Sequence, residues 1–153
     1  MAVETGQPAP DFTLRDQEGK DVTLSSFRGA KNVVLVFYPL TFTNVCKGEL
    51  SALRDDLGTY QNDDTQVLAV SVDSVFAHRV WAEEQGYEFP ILADFWPHGE
   101  VAKTYGVLDD AMGVAKRGTF VIDKQGVVRW SVINAIPDAR DQAEYERVLA
   151  DLS

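Results

Sequence analysis

Cysteine and histidine are nearly missing from this chain, which has one cysteine, Cys46, and two histidines, His78 and His98. A single cysteine excludes an internal disulfide, so neither a disulfide-stapled scaffold nor a C-x-x-C redox pair is available. The stretch Cys46-Lys47-Gly48-Glu49 lacks the second thiol that a protein-disulfide oxidoreductase needs. Neither histidine has a Cys, His or carboxylate neighbour at metal-ligand spacing, so both read as non-catalytic surface or packing residues and no metal site is expected. Basic residues are also scarce: 14 Lys plus Arg stand against 24 Asp plus Glu, a formal net charge of -10. A surface of that sign repels phosphate backbones and anionic lipids, which argues against nucleic-acid and membrane partners. No apolar run approaches the roughly 20 residues of a spanning helix. Met1-Ala2-Val3-Glu4-Thr5 has neither the basic start nor the apolar stretch of a secretory signal, and a cytoplasmic location is expected. Glycines are scattered as turn residues and form no phosphate-binding loop.

What is present is a globular composition, 45% hydrophobic and 25% charged over 153 residues, which suits a single domain over 1–153 with a substantial core. Strand and helix patterns alternate, as in an α/β domain. Residues 12–14 and 22–24 flank the turn Gln17-Glu18-Gly19-Lys20 and predict a small hairpin ahead of the main sheet. The continuous apolar run 33–38 predicts a central strand covered on both faces, and 67–72 a second. A helix is expected over 74–85 with Val80 and Trp81 facing inward and Gly86 stopping it. Residues 89–93 predict a strand and 100–105 a short helix. Residues 119–122 and 127–132, joined by Asp123-Lys124-Gln125-Gly126, predict a hairpin. The tail over 138–152 is expected to be helical, with Tyr145, Val148, Leu149 and Leu152 on one side.

The lone cysteine lies where the first buried strand ends. Pro39 breaks that strand, and Leu50, Leu53 and Leu57 recur at helical intervals until Gly58. Thr43 is a candidate N-cap, which makes Cys46 the third residue of the helix, in the turn whose N–H groups lack intrahelical partners. The partial positive charge there favours a thiolate. An isolated free cysteine is more often a small buried hydrophobe, but strand, proline turn, hydroxyl and thiol converge here on one pocket.

The pattern Pro39-x-x-x-Thr43-x-x-Cys46 resembles the active-site signature of the peroxiredoxins, the thiol-dependent peroxidases. The stretches 9–14 (APDFTL), 94–99 (DFWPHG) and 117–123 (RGTFVID) also resemble the family and occur in its order. The similarity runs from about Gln7 to at least Trp130 and is greatest to the AhpE-type one-cysteine peroxiredoxins of actinobacteria. It implies a thioredoxin-like fold, a central mixed β-sheet flanked by helices, with the N-terminal β-hairpin as an elaboration.

The resemblance also implies a reaction, in which the Cys46 thiolate attacks a hydroperoxide and becomes a sulfenic acid. Ionisation alone contributes little to such a rate: raising the thiolate fraction from about 3% to near unity gains roughly 30-fold, about 2 kcal/mol. The rest requires donors aimed at the peroxide oxygens, and the family pattern supplies the Thr43 hydroxyl, an arginine and the Cys46 backbone N–H. Arg117, just ahead of the 119–122 strand, is the arginine expected to reach the pocket; alone, it would read as a surface ion-pair residue. Glu49 shares the helix face of Cys46 and is expected to orient the arginine, with a solvated helix residue as an even alternative. Pro39 is expected to shield the sulfur. Phe42 and Trp96 fit either an apolar entrance for larger hydroperoxides or, as is commoner for aromatics, core packing.

No haem, flavin or metal cofactor is implied, since thiols supply the electrons. The related PrxQ group often carries a second cysteine five residues after the first, where this chain has Ser51. Cys46-SOH must therefore be reduced from outside, with mycothiol and mycoredoxin as the first expectation and glutathione or thioredoxin as alternatives. Expected substrates are hydrogen peroxide and organic hydroperoxides, with peroxynitrite a further candidate. The alternative function is a peroxide sensor or redox relay that passes oxidation from Cys46 to a partner protein. The family also implies a homodimer, to which Trp81, Phe95 or Trp96 would contribute.

Overall fold

The computed structural model describes residues 2–152, and its centre is the strand β3 (Asn32–Phe37), every residue of which is buried. It is flanked in parallel by β4 (Thr65–Ser71) and antiparallel by β8 (Arg117–Ile122), so no edge of it meets water. Because successive side chains point to opposite faces, β3 feeds two cores. Val34 and Val36, with Tyr38 beyond the strand end, pack with Leu50 and Leu53 of α1 (Asn44–Asp55), Trp81 of α3 (Val75–Gln85) and Tyr145 and Leu149 of α5 (Ala143–Asp151). Val33, Leu35 and Phe37 pack on the other face with Leu24, Tyr105 and Phe120.

The full sheet has seven strands in the order β2-β1-β5-β4-β3-β8-β9, with β1 Thr13–Arg15, β2 Asp21–Thr23, β5 Ile91–Ala93 and β9 Val128–Asn134. The N-terminal hairpin is therefore part of the main sheet and does not merely precede it: Arg15 of β1 pairs with Ala93 of β5. That one-residue contact has no signature in either segment. A second, two-stranded hairpin, β6 (Leu108–Asp109) with β7 (Val114–Ala115), was not expected from the sequence. At the other edge of the main sheet, β8 begins at Arg117, two residues earlier than its apolar run suggests. The β3–β8 register pairs Val36 with Thr119, and its continuation brings Arg117 level with Tyr38 at the mouth of the cysteine turn.

Helical segments differ from their expected bounds where local geometry intervenes. Asp56, at φ -127° and ψ 36°, leaves helical space and separates α1 from the single turn α2 (Leu57–Tyr60). In α3, Trp81 is buried but Val80 is 49% exposed, which corrects the expected inward pair. Adjacent helical residues lie about 100° apart around the axis, and the sheet takes His78, Trp81 and Ala82 instead. The tail becomes helical only at Ala143, with Tyr145 and Leu149 buried on the expected side. No helix among the described residues is long and apolar enough to cross a membrane.

Asp94 explains part of the 94–99 stretch. Its two carboxylate oxygens accept from the N–H groups of Val101 and Ala102 at 3.1 and 2.9 Å, satisfying the start of α4 (Glu100–Thr104). Burial raises its pKa against those two bonds. Asp94→Ala should lower stability by about 1 to 2 kcal/mol, with Asp94→Asn recovering at least part of the loss. Urea unfolding at constant m-value measures this, and an unchanged midpoint for the alanine variant would contradict the capping role.

Candidate active site

The turn between β3 and α1 is built by residues that cannot continue a strand. Pro39 is buried directly after Tyr38, and Phe42 adopts φ 71°, the single positive φ of a non-glycine among the described residues. Thr43 follows in extended conformation as the N-cap of α1, so Cys46 is the third helical residue, as the spacing predicts. The cap differs from expectation in one respect. The Thr43 hydroxyl donates to the Leu40 carbonyl at 2.6 Å, and no helix N–H reaches it. It closes the turn on itself and is exposed to solvent, without a bond to Cys46.

Cys46 is fully buried and unpaired. Arg117 Nη1 donates to its Sγ at 3.3 Å and to Glu49 Oε1 at 2.6 Å, while Nε donates to the Ile136 carbonyl at 2.6 Å. Residues 46, 49 and 117 therefore converge, and Glu49 is no solvated helix residue: its side chain is 7% exposed and that of Arg117 3%.

A fourth member, Arg140, carries no sequence signal. Its Nε and Nη2 grip Glu49 Oε2 and Oε1, both at 2.9 Å, and its backbone N–H donates to Oε2 at 2.8 Å. Nη1 bonds the carbonyls of Phe37 and Gly118 at 2.6 and 2.9 Å and Thr119 Oγ1 at 3.1 Å. Arg140 lies before α5 in a polar stretch, with no motif or periodicity to separate it from a surface arginine; only its tertiary partners do.

Two guanidiniums around one carboxylate leave a net charge of +1 beside the buried sulfur, and buried charge is costly unless it is paired. Burial alone would raise the Glu49 carboxyl, but the hydrogen bonds and charge of Arg140, with the charge of Arg117, hold it below the usual range.

The aromatic residues depart from the packing expectation. Phe42 is 53% and Trp96 82% exposed. Phe42 rests edge-on against Trp81, with ring centroids 6.2 Å apart. Trp81 itself is in the core, which removes it from the residues able to form an outer surface. His78 is a fully buried packing residue, and His98 Nε2 lies 2.6 Å from the Gly113 carbonyl.

The lowered Glu49 pKa has a consequence for stability. The unfolded chain takes up the proton first on acidification, so this contribution is complete above the ordinary value of 4.5 and is lost as pH falls through the lower folded value. Glu49→Gln should be less stable than the wild type at neutral pH, and the gap should close in acid. Urea midpoints across the acid range check this; a gap of constant size would contradict it.

Comparison with known proteins gives a consistent result. A model described as the AhpC/TSA family matches residues 5–131. Alkyl hydroperoxide reductase E of Mycobacterium tuberculosis is 49% identical over 151 residues, 99% of each chain. The chloroplastic 2-Cys peroxiredoxin BAS1 of Hordeum vulgare is 39% identical over 157 residues, covering 96% of this chain and 74% of that relative. The crystal structure of peroxidoxin BcpB from Mycobacterium tuberculosis matches with a TM-score of 0.86 at 29% identity, covering 98% of both chains. That of Enterococcus faecalis AhpC matches with a TM-score of 0.87 at 32% identity, covering 99% of this chain and 92% of the other. With a family model over most of the sequence, a relative matched along nearly its whole length and a shared thioredoxin-like sheet, the chain belongs to the AhpC/TSA family of peroxiredoxins and is a thiol peroxidase.

Proposed function

We propose that Cys46 is the peroxide-reducing nucleophile and that Arg117, held by Glu49 and Arg140, is its principal donor. The observation that carries this reading is the bond from Arg117 Nη1 to Sγ, made by a guanidinium that also donates from Nη1 to Glu49 and from Nε to the Ile136 carbonyl. The thiolate attacks one oxygen of ROOH, a sulfur–oxygen bond forms and the O–O bond breaks. Two electrons pass from sulfur to the peroxide, and the departing RO⁻ takes a proton to leave as alcohol or water. Arg117 cannot lose its proton at working pH, so it donates to the peroxide oxygens as negative charge develops. The Cys46 N–H is the second donor, and Thr43 joins when its hydroxyl turns from the Leu40 carbonyl. Pro39 shields the sulfur, and the exposed Phe42 borders the approach.

Hydrogen peroxide and organic hydroperoxides are the proposed substrates, peroxynitrite a further one; the name of the 49%-identical relative supports alkyl hydroperoxides. Reduction is assigned to an external thiol, which condenses with Cys46-SOH to release water and leave a mixed disulfide for a second thiol or redoxin to open. Ser51, bonded to Tyr87 at 3.0 Å, stands where a resolving cysteine would be. Mycothiol with mycoredoxin is the first candidate reductant, then glutathione or thioredoxin, in a reducing cytoplasm. The sulfur is buried, so such a thiol reaches it through local opening around Cys46. Exposed Phe76, Phe95 and Trp96, which line one surface cavity, support a homodimer.

Stopped-flow tryptophan fluorescence with one equivalent of hydrogen peroxide, combined with mass spectrometry of the trapped sulfenic acid, tests the assignment. Cys46→Ser should abolish the reaction. Arg117→Ala should slow it by about 100-fold or more, as loss of a transition-state donor does, with Arg117→Lys recovering only part. A wild-type rate no better than that of a free thiol would contradict the assignment.

A further inference from the structure

The cysteine turn is tied to the neighbouring strand by an acid that the peroxidase chemistry does not use. The turn leaves the sheet at Tyr38, whose N–H donates to the Val70 carbonyl at 3.0 Å, and becomes helical at Asn44. Between these points the Thr41 N–H donates to Asp73 Oδ2 at 2.8 Å, across 32 residues of sequence. The same oxygen accepts from Ser71 Oγ at 2.7 Å, and Ser71 Oγ lies 2.7 Å from His78 Nε2. A hydroxyl has one proton. With that proton on Asp73, His78 carries its own on Nε2 and donates it to Ser71. Burial pushes His78 down to about 4, the Asp73 charge and the Ile91 backbone opposing, so the ring is neutral at working pH and serves as a fixed donor. A last bond, between Tyr38 Oη and Thr41 Oγ1 at 2.8 Å, closes the network on the turn.

Two features show that this is more than helix capping. Ser74 already caps α3, its hydroxyl accepting from the Ala77 N–H, which leaves the Asp73 carboxylate free to reach across to the turn. The residue after the anchored amide is Phe42, in a backbone region that side-chain-bearing residues enter only when the surroundings hold them there. Thr43 and the first turn of α1 follow directly from it.

We propose that Asp73 is a positioning residue of the peroxidase: by holding the Thr41 amide it fixes the 41–43 turn, and through it the alignment of Thr43 and the Cys46 N–H with Sγ and Arg117. This rests on the peroxidase reading of Cys46. A merely structural acid would affect stability; a positioning acid affects the reaction that needs aligned donors more than one that needs only an accessible sulfur.

The test compares two second-order rate constants, Cys46 oxidation by hydrogen peroxide and Cys46 alkylation by iodoacetamide, in wild type, Asp73→Ala and Asp73→Asn. Asp73→Ala should lose about tenfold or more in oxidation while alkylation holds or rises as the turn loosens. Asp73→Asn keeps an acceptor for the Thr41 amide and should return to within about threefold of wild-type oxidation. Asp73→Ser, which shortens the side chain and keeps it polar, substitutes if the alanine variant does not fold. An oxidation rate within about twofold of wild type in folded Asp73→Ala or Asp73→Ser would overturn the proposal. So would equal losses in the two rate constants, or an Asp73→Asn variant as slow as Asp73→Ala. The wild-type measurement separates the two claims. Slow wild-type oxidation defeats the peroxidase reading with the Asp73 role, whereas fast oxidation that survives Asp73→Ala defeats the Asp73 role alone.

Discussion

The Glu49 carboxylate, buried between the guanidiniums of Arg117 and Arg140, is the constraint on which the rest of the site depends. Taking three charged groups out of water is expensive, and such a cluster persists only if nearly every donor finds an acceptor. Here the acceptors come from several elements: Glu49 from α1, Phe37 from β3, Gly118 and Thr119 from β8, and Ile136 from the segment after β9. The cluster therefore joins the cysteine helix to the end of the sheet, and it holds Arg117 where one Nη1 meets both Glu49 and the sulfur. Its excess positive charge faces the sulfur of Cys46, the proposed nucleophile.

Sequence and structure agree where the determinants are local. The apolar run 33–37 is a buried strand because both of its faces are covered, and Pro39 ends it because proline has no N–H to continue a ladder. Cys46 and Glu49 share a helix face through a three-residue spacing visible in the chain. Arg117 was legible only through resemblance to a family, since nothing local distinguishes a buried arginine from an exposed one. Arg140 was not legible at all. Its role comes from a tertiary encounter with Glu49 across 91 residues. The same limit explains the aromatics, because hydrophobicity alone does not say that Trp81 is enclosed while Phe42 and Trp96 face outward.

Function places opposed demands on the turn at Cys46. On the proposed mechanism the sulfur is held against fixed donors to react with peroxide and later meets an external thiol, because Cys46 is the only cysteine in the chain. The geometry accommodates both with a rigid half and a yielding half. Glu49 and Arg117 sit among buried, multiply bonded groups, whereas Thr43 and the positive-φ Phe42 are exposed on a turn whose tie to the neighbouring strand is the Thr41 amide bond to Asp73. Local opening is least costly where buried contacts are few.

The central claim is that oriented donors, and not thiolate character alone, give this protein its reactivity. It is tested most directly by dividing the wild-type rate constants of Cys46 for hydrogen peroxide and for iodoacetamide by those of a free thiolate under the same conditions. The account predicts an enhancement for peroxide larger by about 100-fold or more, since only peroxide reduction develops charge where Arg117 donates. Equal enhancements for the two reagents would contradict it.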